Sequence, residues 1–319
     1  MSSATPFPAS ESPLTPDEVV RQLTELPSAP RVLPRLKRLL NDGNSSIRDV
    51  VEMIRLDPGI AARVLRMGNS VYYSQGLRCY TVDEAVNRVG FDHVYELVAH
   101  AVASQVLVRP LEVYGMEPDD LWRQSVACGL AAETIARQLS LDVDVAYTVG
   151  LLYGVGLVAI DAWAFRQKLP WSFSRGPLPL ETCQAERQVL GFHNAEAGAA
   201  LLRLWEFPPV MTEPVRWQYL PRGTAAYLKL AATVHVAKWV RTEVCGLPGT
   251  PRPESTLLRS MNLTATALDR LVADVRARFD NLSSLLETES GDHQELAFPN
   301  GPRVIAARPP TSQLLQRFA

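Results

Sequence analysis

Along most of this chain apolar residues recur at three- and four-residue intervals, the period of a helix with one buried face. The spacing predicts helices near 16–24, 30–41, 46–56, 58–68, 81–89, 91–108, 118–139 and 143–161, then near 181–190, 194–206, 208–218, 224–245, 254–261 and 264–286. Their starts carry chemical marks. In Thr15-Pro16-Asp17-Glu18 a threonine caps, a proline takes the first helical position and a glutamate completes a capping box; Thr81 to Glu84 repeats the box. Pro58, Pro118 and Pro208 stand where a helix can begin but not continue. Nowhere do β-branched and aromatic residues alternate with polar ones for long enough to suggest a strand. The stretch 169–179, LPWSFSRGPLP, reads as a loop fixed by three prolines, and no internal repeat of solenoid length is evident.

The expectation is an all-α protein, a multi-helix bundle in two helical lobes covering 15–110 and 111–286. Residues 1–14, rich in Ser and Pro, are expected to be disordered, and 287–319 mostly a flexible tail in which Leu314, Leu315 and Phe318 are spaced to dock as a short helix. The last predicted helix carries Leu268, Leu271, Val275, Phe279, Leu282 and Leu286, a stripe that packs on its own domain or on a second copy in a homodimer.

Composition narrows the function classes. Of 319 residues 47% are apolar, enough for a substantial core. The 32 basic and 34 acidic residues nearly cancel, which argues against nucleic acid as the main partner. A local basic patch at Arg31, Arg35, Lys37 and Arg38 is better read as the wet face of a helix whose buried stripe is Leu33, Leu36, Leu39 and Leu40. Cys79, Cys128, Cys183 and Cys245 form no CxxC pair and sit among apolar or small neighbours, which suits reduced thiols in a cytoplasmic protein. The N-terminus MSSATPFPASESP lacks the basic start and apolar run of a signal peptide. The longest apolar stretch, Val143 to Ala164, is interrupted by Asp144, two glycines and Asp161 and is expected not to span a membrane.

Several motifs fail when tested. Gly154-x-Gly156-x-x-Ala159 matches a dinucleotide-binding fingerprint in form, but no strand precedes it and a proline-rich loop follows, so close helix packing is the better account of the glycines. His93 and His100 lie two turns apart, about 10 Å, too far to share an ion. His193 and Glu196 share a helical face, an arrangement that is usually a cap or surface pair. No Ser or Cys lies in a nucleophile elbow.

Three stretches in the first lobe together resemble the HDOD family, the HD-related output domains of bacterial signalling. They are Leu26-Pro27-Ser28-Ala29-Pro30; then Leu56-Asp57-Pro58-Gly59-Ile60 through Gly68-Asn69-Ser70 with the pair Tyr72-Tyr73; and Thr81-Val82-Asp83-Glu84-Ala85-Val86-Asn87-Arg88-Val89-Gly90, similar to the family's S-I-x-x-A-I-x-x-L-G. The second lobe resembles the HD phosphohydrolases, and there the departures matter. Those enzymes hold divalent metal through a histidine, a His-Asp doublet and a later aspartate, and the bound ion makes the attacking hydroxide. Here Trp122-Arg123-Gln124-Ser125 aligns with W-x-H-S, so Gln124 stands for the first histidine; Tyr153 and Gly154 replace the doublet; and Lys238 replaces the last aspartate. Trp217-Gln218 occupies the place where many relatives carry a histidine pair. An amide, a phenol, a hydrogen and an ammonium do not make a metal site, and Lys238 opposes a cation by its charge. His193, in Gly191-Phe192-His193-Asn194, survives and is expected to close a helix N-terminus.

The resemblance implies a chain without catalytic residues, metal or cofactor that acts by protein–protein contact in two-component or cyclic-di-GMP signalling. Its partner would be a GGDEF, EAL, receiver or kinase protein, with no nucleic acid and no membrane. Asp57, Pro58, Asn69, Ser70, Tyr72, Tyr73 and His193 are the family-motif positions that either contact such a partner or maintain the fold. The alternative is a small-ligand sensor in which Gln124, Tyr153 and Lys238 hold an anionic nucleotide. Against it stands a cavity that Tyr153 fills, with Lys238 reaching solvent. A third reading is hydrolysis through relocated ligands His193, Glu196 and Glu186.

Overall fold

The computed structural model describes residues 14–21, 23, 32, 36, 39, 45–74, 76–90, 93–94, 97, 110–169, 172–173, 179–247 and 251–288. Most of the helices expected near 30–41 and 91–108 lies outside these residues, as do the patch at Arg31, Arg35, Lys37 and Arg38, His100, residues 1–13, and the tail with Leu314, Leu315 and Phe318. Most capping signals act where the sequence placed them; at Thr81 the expected box forms by half, since Thr81 caps Glu84 N–H but Glu84 Oε2 accepts from Tyr80 N–H at 2.7 Å. Helix α1 (Pro16–Val20) opens on a Thr15–Glu18 capping box, with Thr15 N–H donating to Glu18 Oε2 at 2.8 Å. Helix α2 (Ile47–Arg55) opens on a second box between Ser46 and Asp49. Asp57 Oδ1 accepts from Ile60 N–H at 2.9 Å to start α3 (Pro58–Asn69), with Pro58 in the first turn where no amide is missed. A single-turn helix α4 (Val71–Ser74) follows, and α5 (Val82–Val89) is capped by Thr81.

Next come a 3₁₀ turn at Glu112–Tyr114 and the 21-residue α6 (Pro118–Gln138). The helix expected at 143–161 is instead two, α7 (Val143–Leu151) and α8 (Val155–Arg166). The chain turns at Leu152–Gly154, where Gly154 adopts φ −94°, ψ 3°, a bend that hydrophobic period alone does not register. The remaining helices are α9 (Pro179–Leu190), α10 (Asn194–Leu204), α11 (Pro209–Arg216), α12 (Leu228–Cys245), α13 (Ser255–Ser260) and α14 (Ala265–Thr288). Among the described residues the only β pairing is one isolated bridge, Leu111 to Met116, so the fold is all-α.

Helix α6 is the axis, packed by α7, α12 and α14. Its apolar face buries Val126, Cys128, Ala131, Ala132 and Ile135. Fully burying each branched side chain stabilises by roughly 1.5–3 kcal/mol. The α14 stripe foreseen from sequence turns inward: Leu268, Leu271, Val275 and Phe279 are buried, Phe279 lying 6.1 Å from the Trp122 ring. Helix α8 crosses α10 at backbone contact. A Cβ on Gly156 would lie 1.8 Å from Asn194 O, whereas one on Gly154 would meet nothing closer than 3.4 Å, so close packing explains Gly156 only. The apolar window within Val143–Arg166 is 89% buried, which makes it a core hairpin.

In the first part of the chain α2, α3 and α5 pack together, while α1 lies against α10 and α8. Trp122 Nε1 donates to Leu56 O at 2.9 Å and Tyr147 hydroxyl to Arg55 O at 2.8 Å, tying α6 and α7 to the end of α2. Arg55 also pairs with Asp144 at 3.0 Å, and Arg78 with Glu206 at 3.0 Å.

Candidate functional site

The family-motif residues of the first lobe divide by role. Asp57 and Asn69 are fully buried and structural. Asn69 Nδ2 donates to Cys79 O at 3.1 Å while its Oδ1 accepts from Cys79 N–H at 2.7 Å, so it pins the loop before α5 as well as ending α3. Ser70 Oγ donates to Met67 O at 2.7 Å. Tyr73 leans on the core and meets the His93 ring at 5.7 Å. Tyr72 is 80% exposed and Val71 beside it 86% exposed, so of these positions Tyr72 is the one presented to the surroundings.

The four positions that the resemblance matches to metal ligands converge in the second lobe. Gln124 comes from the buried side of α6, Tyr153 and Gly154 from the turn between α7 and α8, and Lys238 from the middle of α12. The sequence reading missed the residue that joins them. Arg241, one turn beyond Lys238, extends its guanidinium into the space between Gln124 and Tyr153. Its Nη1 donates to Gln124 Oε1 at 2.9 Å and to Tyr153 Oη at 2.6 Å; Nε donates to Lys238 O at 3.2 Å and Nη2 to Thr242 Oγ1 at 3.2 Å. Tyr153 hydroxyl in turn donates to Gln124 Oε1 at 3.3 Å. Burial pushes the Tyr153 phenol up to about 12, so it stays protonated. Gln218, at the replaced histidine pair, is fully buried and donates from Nε2 to Tyr153 O at 3.0 Å, fixing the turn that carries the phenol. The signal for Arg241 was present: two cations one turn apart in a helix that is otherwise mostly apolar, LKLAATVHVAKWVRTEVC.

Lys238 does not reach solvent, contrary to the sequence expectation. It is 6% exposed, its Nζ lies 3.2 Å from the centroid of the Tyr219 ring, and that Nζ has no hydrogen-bond partner. The turn after α11 brings Tyr219 over it, where sequence spacing gives no clue to the contact. The ring face attracts an ammonium, yet burial draws the Lys238 pKa down to about 7. Beyond Tyr219 the network continues: its hydroxyl donates to Asn194 Oδ1 at 3.1 Å, and Asn194 Nδ2 and N–H donate to buried Glu186 at 2.8 and 2.7 Å. Tyr114 hydroxyl donates to Glu186 Oε1 at 2.7 Å. Burial raises the Glu186 pKa against these bonds. His193 takes the N-cap position of α10, as expected. Its N–H donates to Glu196 Oε2 at 3.0 Å, its ring meets Tyr219 edge-on at 5.4 Å, and burial lowers its pKa.

A divalent ion does not fit this donor set. The carbonyl of Gln124 and the oxygen of Tyr153 are already engaged by a guanidinium, and Lys238 adds a second cation site beside it. Among the described residues no group of three or more His, Cys, Asp or Glu side chains is arranged to hold a metal, and Glu186, His193 and Glu196 do not form one.

Comparison with known proteins agrees with this architecture. The HDOD domain matches residues 26–221. An uncharacterized protein of Treponema pallidum is 27% identical over 234 residues, 69% of this chain and 42% of that protein, so the chain spans about two fifths of the length of this curated relative. The crystal structure of the MmoQ response regulator of Methylococcus capsulatus is similar with a TM-score of 0.61 at 22% identity, covering 79% of this chain and 99% of that one. A virulence factor of Campylobacter jejuni is similar with a TM-score of 0.58 at 17% identity, over 83% and 100% of the two chains. At these identities the structures speak to the fold. With the domain match spanning more than half of its residues, the chain belongs to the HDOD family.

Proposed function

We propose that this chain is a non-catalytic signalling module of a bacterial cytoplasm, working through protein–protein contact in a two-component or cyclic-di-GMP circuit. The observation that carries the reading is the Arg241 guanidinium. It bonds Gln124 and Tyr153, the residues at two metal-ligand positions of the hydrolases, and so supplies a fixed organic cation where those enzymes use an exchangeable one. A guanidinium links the helices as an ion would, but carries no water to deprotonate. The kinship with HDOD proteins and the fold likeness to a response regulator support a place in signalling. The four free thiols, three of them buried, suit a reducing compartment. An open groove of about 800 Å³ in the second part of the chain, lined by Leu141, Val145, Val210, Tyr227 and Leu230 with Tyr80 at its edge, offers a surface to a GGDEF, EAL, receiver or kinase partner.

The test is an assay of phosphomonoester, phosphodiester and cyclic-dinucleotide hydrolysis with Mn²⁺, Fe²⁺ or Ni²⁺ added. No turnover above metal alone is expected. Turnover abolished by a chelator, or a stoichiometric transition metal by elemental analysis, would overturn the reading. A second reading, a sensor for an anionic nucleotide, is favoured by the two buried cations Lys238 and Arg241. Saturable binding of a cyclic dinucleotide that is lost in Lys238→Ala selects it over the interaction module.

A further inference from the structure

Two buried cations on one turn of α12 lack an anion. Lys238 and Arg241 are 6% and 7% exposed, and both face the Tyr153 ring, at 6.0 and 5.2 Å from its centroid. Among the described residues, every hydrogen bond that Arg241 donates goes to a neutral oxygen: Gln124, Tyr153, Thr242 and the Lys238 carbonyl. Among the described residues no carboxylate lies within ion-pair distance of either cation. Glu186 is the nearest acid in electrostatic terms, but both its oxygens are taken by Asn194 and Tyr114. Buried charge is tolerated when paired, so this arrangement asks either for a neutral lysine or for a negative charge beside Arg241.

We propose that Lys238 is a carbamylation site for carbon dioxide, with the carbamate carboxylate formed on Nζ supplying the missing counter-charge to Arg241. The inference goes beyond the signalling reading and stands whether or not a partner docks in the groove. The Nζ lone pair attacks the carbon of CO₂ and forms an N–C bond, while one C–O π pair moves onto oxygen. The extra proton on nitrogen passes to solvent, leaving N–H and a carboxylate. Three features of the site favour this step. Nζ makes no hydrogen bond that must first be broken. Its exposed surface is nearly nil, so a hydrated oxyanion would have to shed its water to reach it, whereas CO₂ enters uncharged and the charge is created in place. A neighbouring guanidinium stabilises the product and not the neutral amine. Burial, opposed by Cys183 and aided by Arg241, holds the Lys238 pKa at about 7, so the reactive free amine is present at neutral pH. The titratable and charged groups that act on it are Cys128 from α6, Tyr153 from the α7–α8 turn, Cys183 and Glu186 from α9, His193 at the start of α10, Tyr219 after α11, and His235 and Arg241 from α12 itself. Cys128 and Cys183 are pushed up to about 12 and about 11 by burial, so neither supplies the anion.

The chain has four lysines, Lys37, Lys168, Lys229 and Lys238, which makes assignment direct. The full chain is equilibrated with ¹³C-bicarbonate at mildly alkaline pH, alkylated with triethyloxonium to trap carbamate as its ethyl ester, digested, and read by peptide mass spectrometry; ¹³C NMR on the untrapped sample gives a second readout. The expected result is a labelled adduct on the Lys238 peptide, several-fold above that on the exposed Lys168 and Lys229. It should be lost when the protein is unfolded in urea and reduced in Arg241→Gln, with the ¹³C signal absent in Lys238→Met. An unlabelled Lys238 in folded wild-type protein, or labelling equal to that of the exposed lysines, overturns the proposal.

Discussion

At the residue scale the centre of this protein is a pair of cations on α12. Arg241 makes its hydrogen bonds without a carboxylate, so removing it leaves Gln124 Oε1 with only the 3.3 Å donation from the Tyr153 hydroxyl and leaves Tyr153 with one bond fewer, each inside the core. A buried group left unpaired costs about 1–3 kcal/mol. Arg241→Met is therefore expected to lower unfolding free energy by about 1–3 kcal/mol in urea titrations, while keeping the helical circular dichroism. Lys238 behaves oppositely. Its pKa falls to about 7 in the folded protein from 10.5, chiefly through burial, so between those values the unfolded chain holds a proton the folded one lacks. Stability from this group accordingly rises with pH across that window, by at most about 1.4 kcal/mol per unit, and the burden is complete below pH 7. Lys238→Met should be more stable than wild type at and below neutrality, with the advantage shrinking toward pH 10. An advantage that does not change with pH would refute the assignment.

At the element scale the decisive contact is the crossing of α8 and α10. Gly156 allows the helices to meet at their backbones, because any side chain there would run into Asn194 O. Gly156→Ala is expected to cost about 3 kcal/mol or more, since backbone cannot swing aside as a flexible side chain does, and thermal unfolding would register it. The same change would displace Asn194 and loosen its bonds to Glu186 and Tyr219. Capping has smaller consequences: Asp57→Ala should cost about 1 kcal/mol, readable as a lower urea midpoint at unchanged slope. The helix starts were legible in the sequence because a cap is a local bargain among four residues. The break at Leu152–Gly154 was not, because residues on both sides are apolar and the Gln218 amide that bonds the Tyr153 carbonyl there comes from 65 positions further on.

At the scale of the whole molecule the two parts of the chain share hydrogen bonds that run from aromatic side chains into backbone carbonyls at the end of α2. Trp122 to Leu56 and Tyr147 to Arg55 tie α6 and α7 to the first part, and α1 reaches across to α10 and α8. Tyr147→Phe leaves the Arg55 carbonyl without that partner and is expected to cost roughly 1–2 kcal/mol while preserving one cooperative transition. The exposed Arg78–Glu206 pair should contribute under about 1 kcal/mol, so Glu206→Gln is expected to be nearly silent.

The sequence by itself determined the helical class and most helix starts, and its resemblance to the HD enzymes pointed to Gln124, Tyr153, Gly154 and Lys238 as the positions to inspect. Those are properties of residue type, period and order along the chain. Only the tertiary structure decided that Arg241 fills the vacated centre, that Lys238 lies inward on the face of Tyr219, and that Glu186 is committed to Asn194 and Tyr114. These contacts join residues up to 117 positions apart, such as Arg241 and Gln124. Which buried cation finds which acceptor depends on how α6, α9, α11 and α12 are stacked, a distance in space that no local pattern encodes.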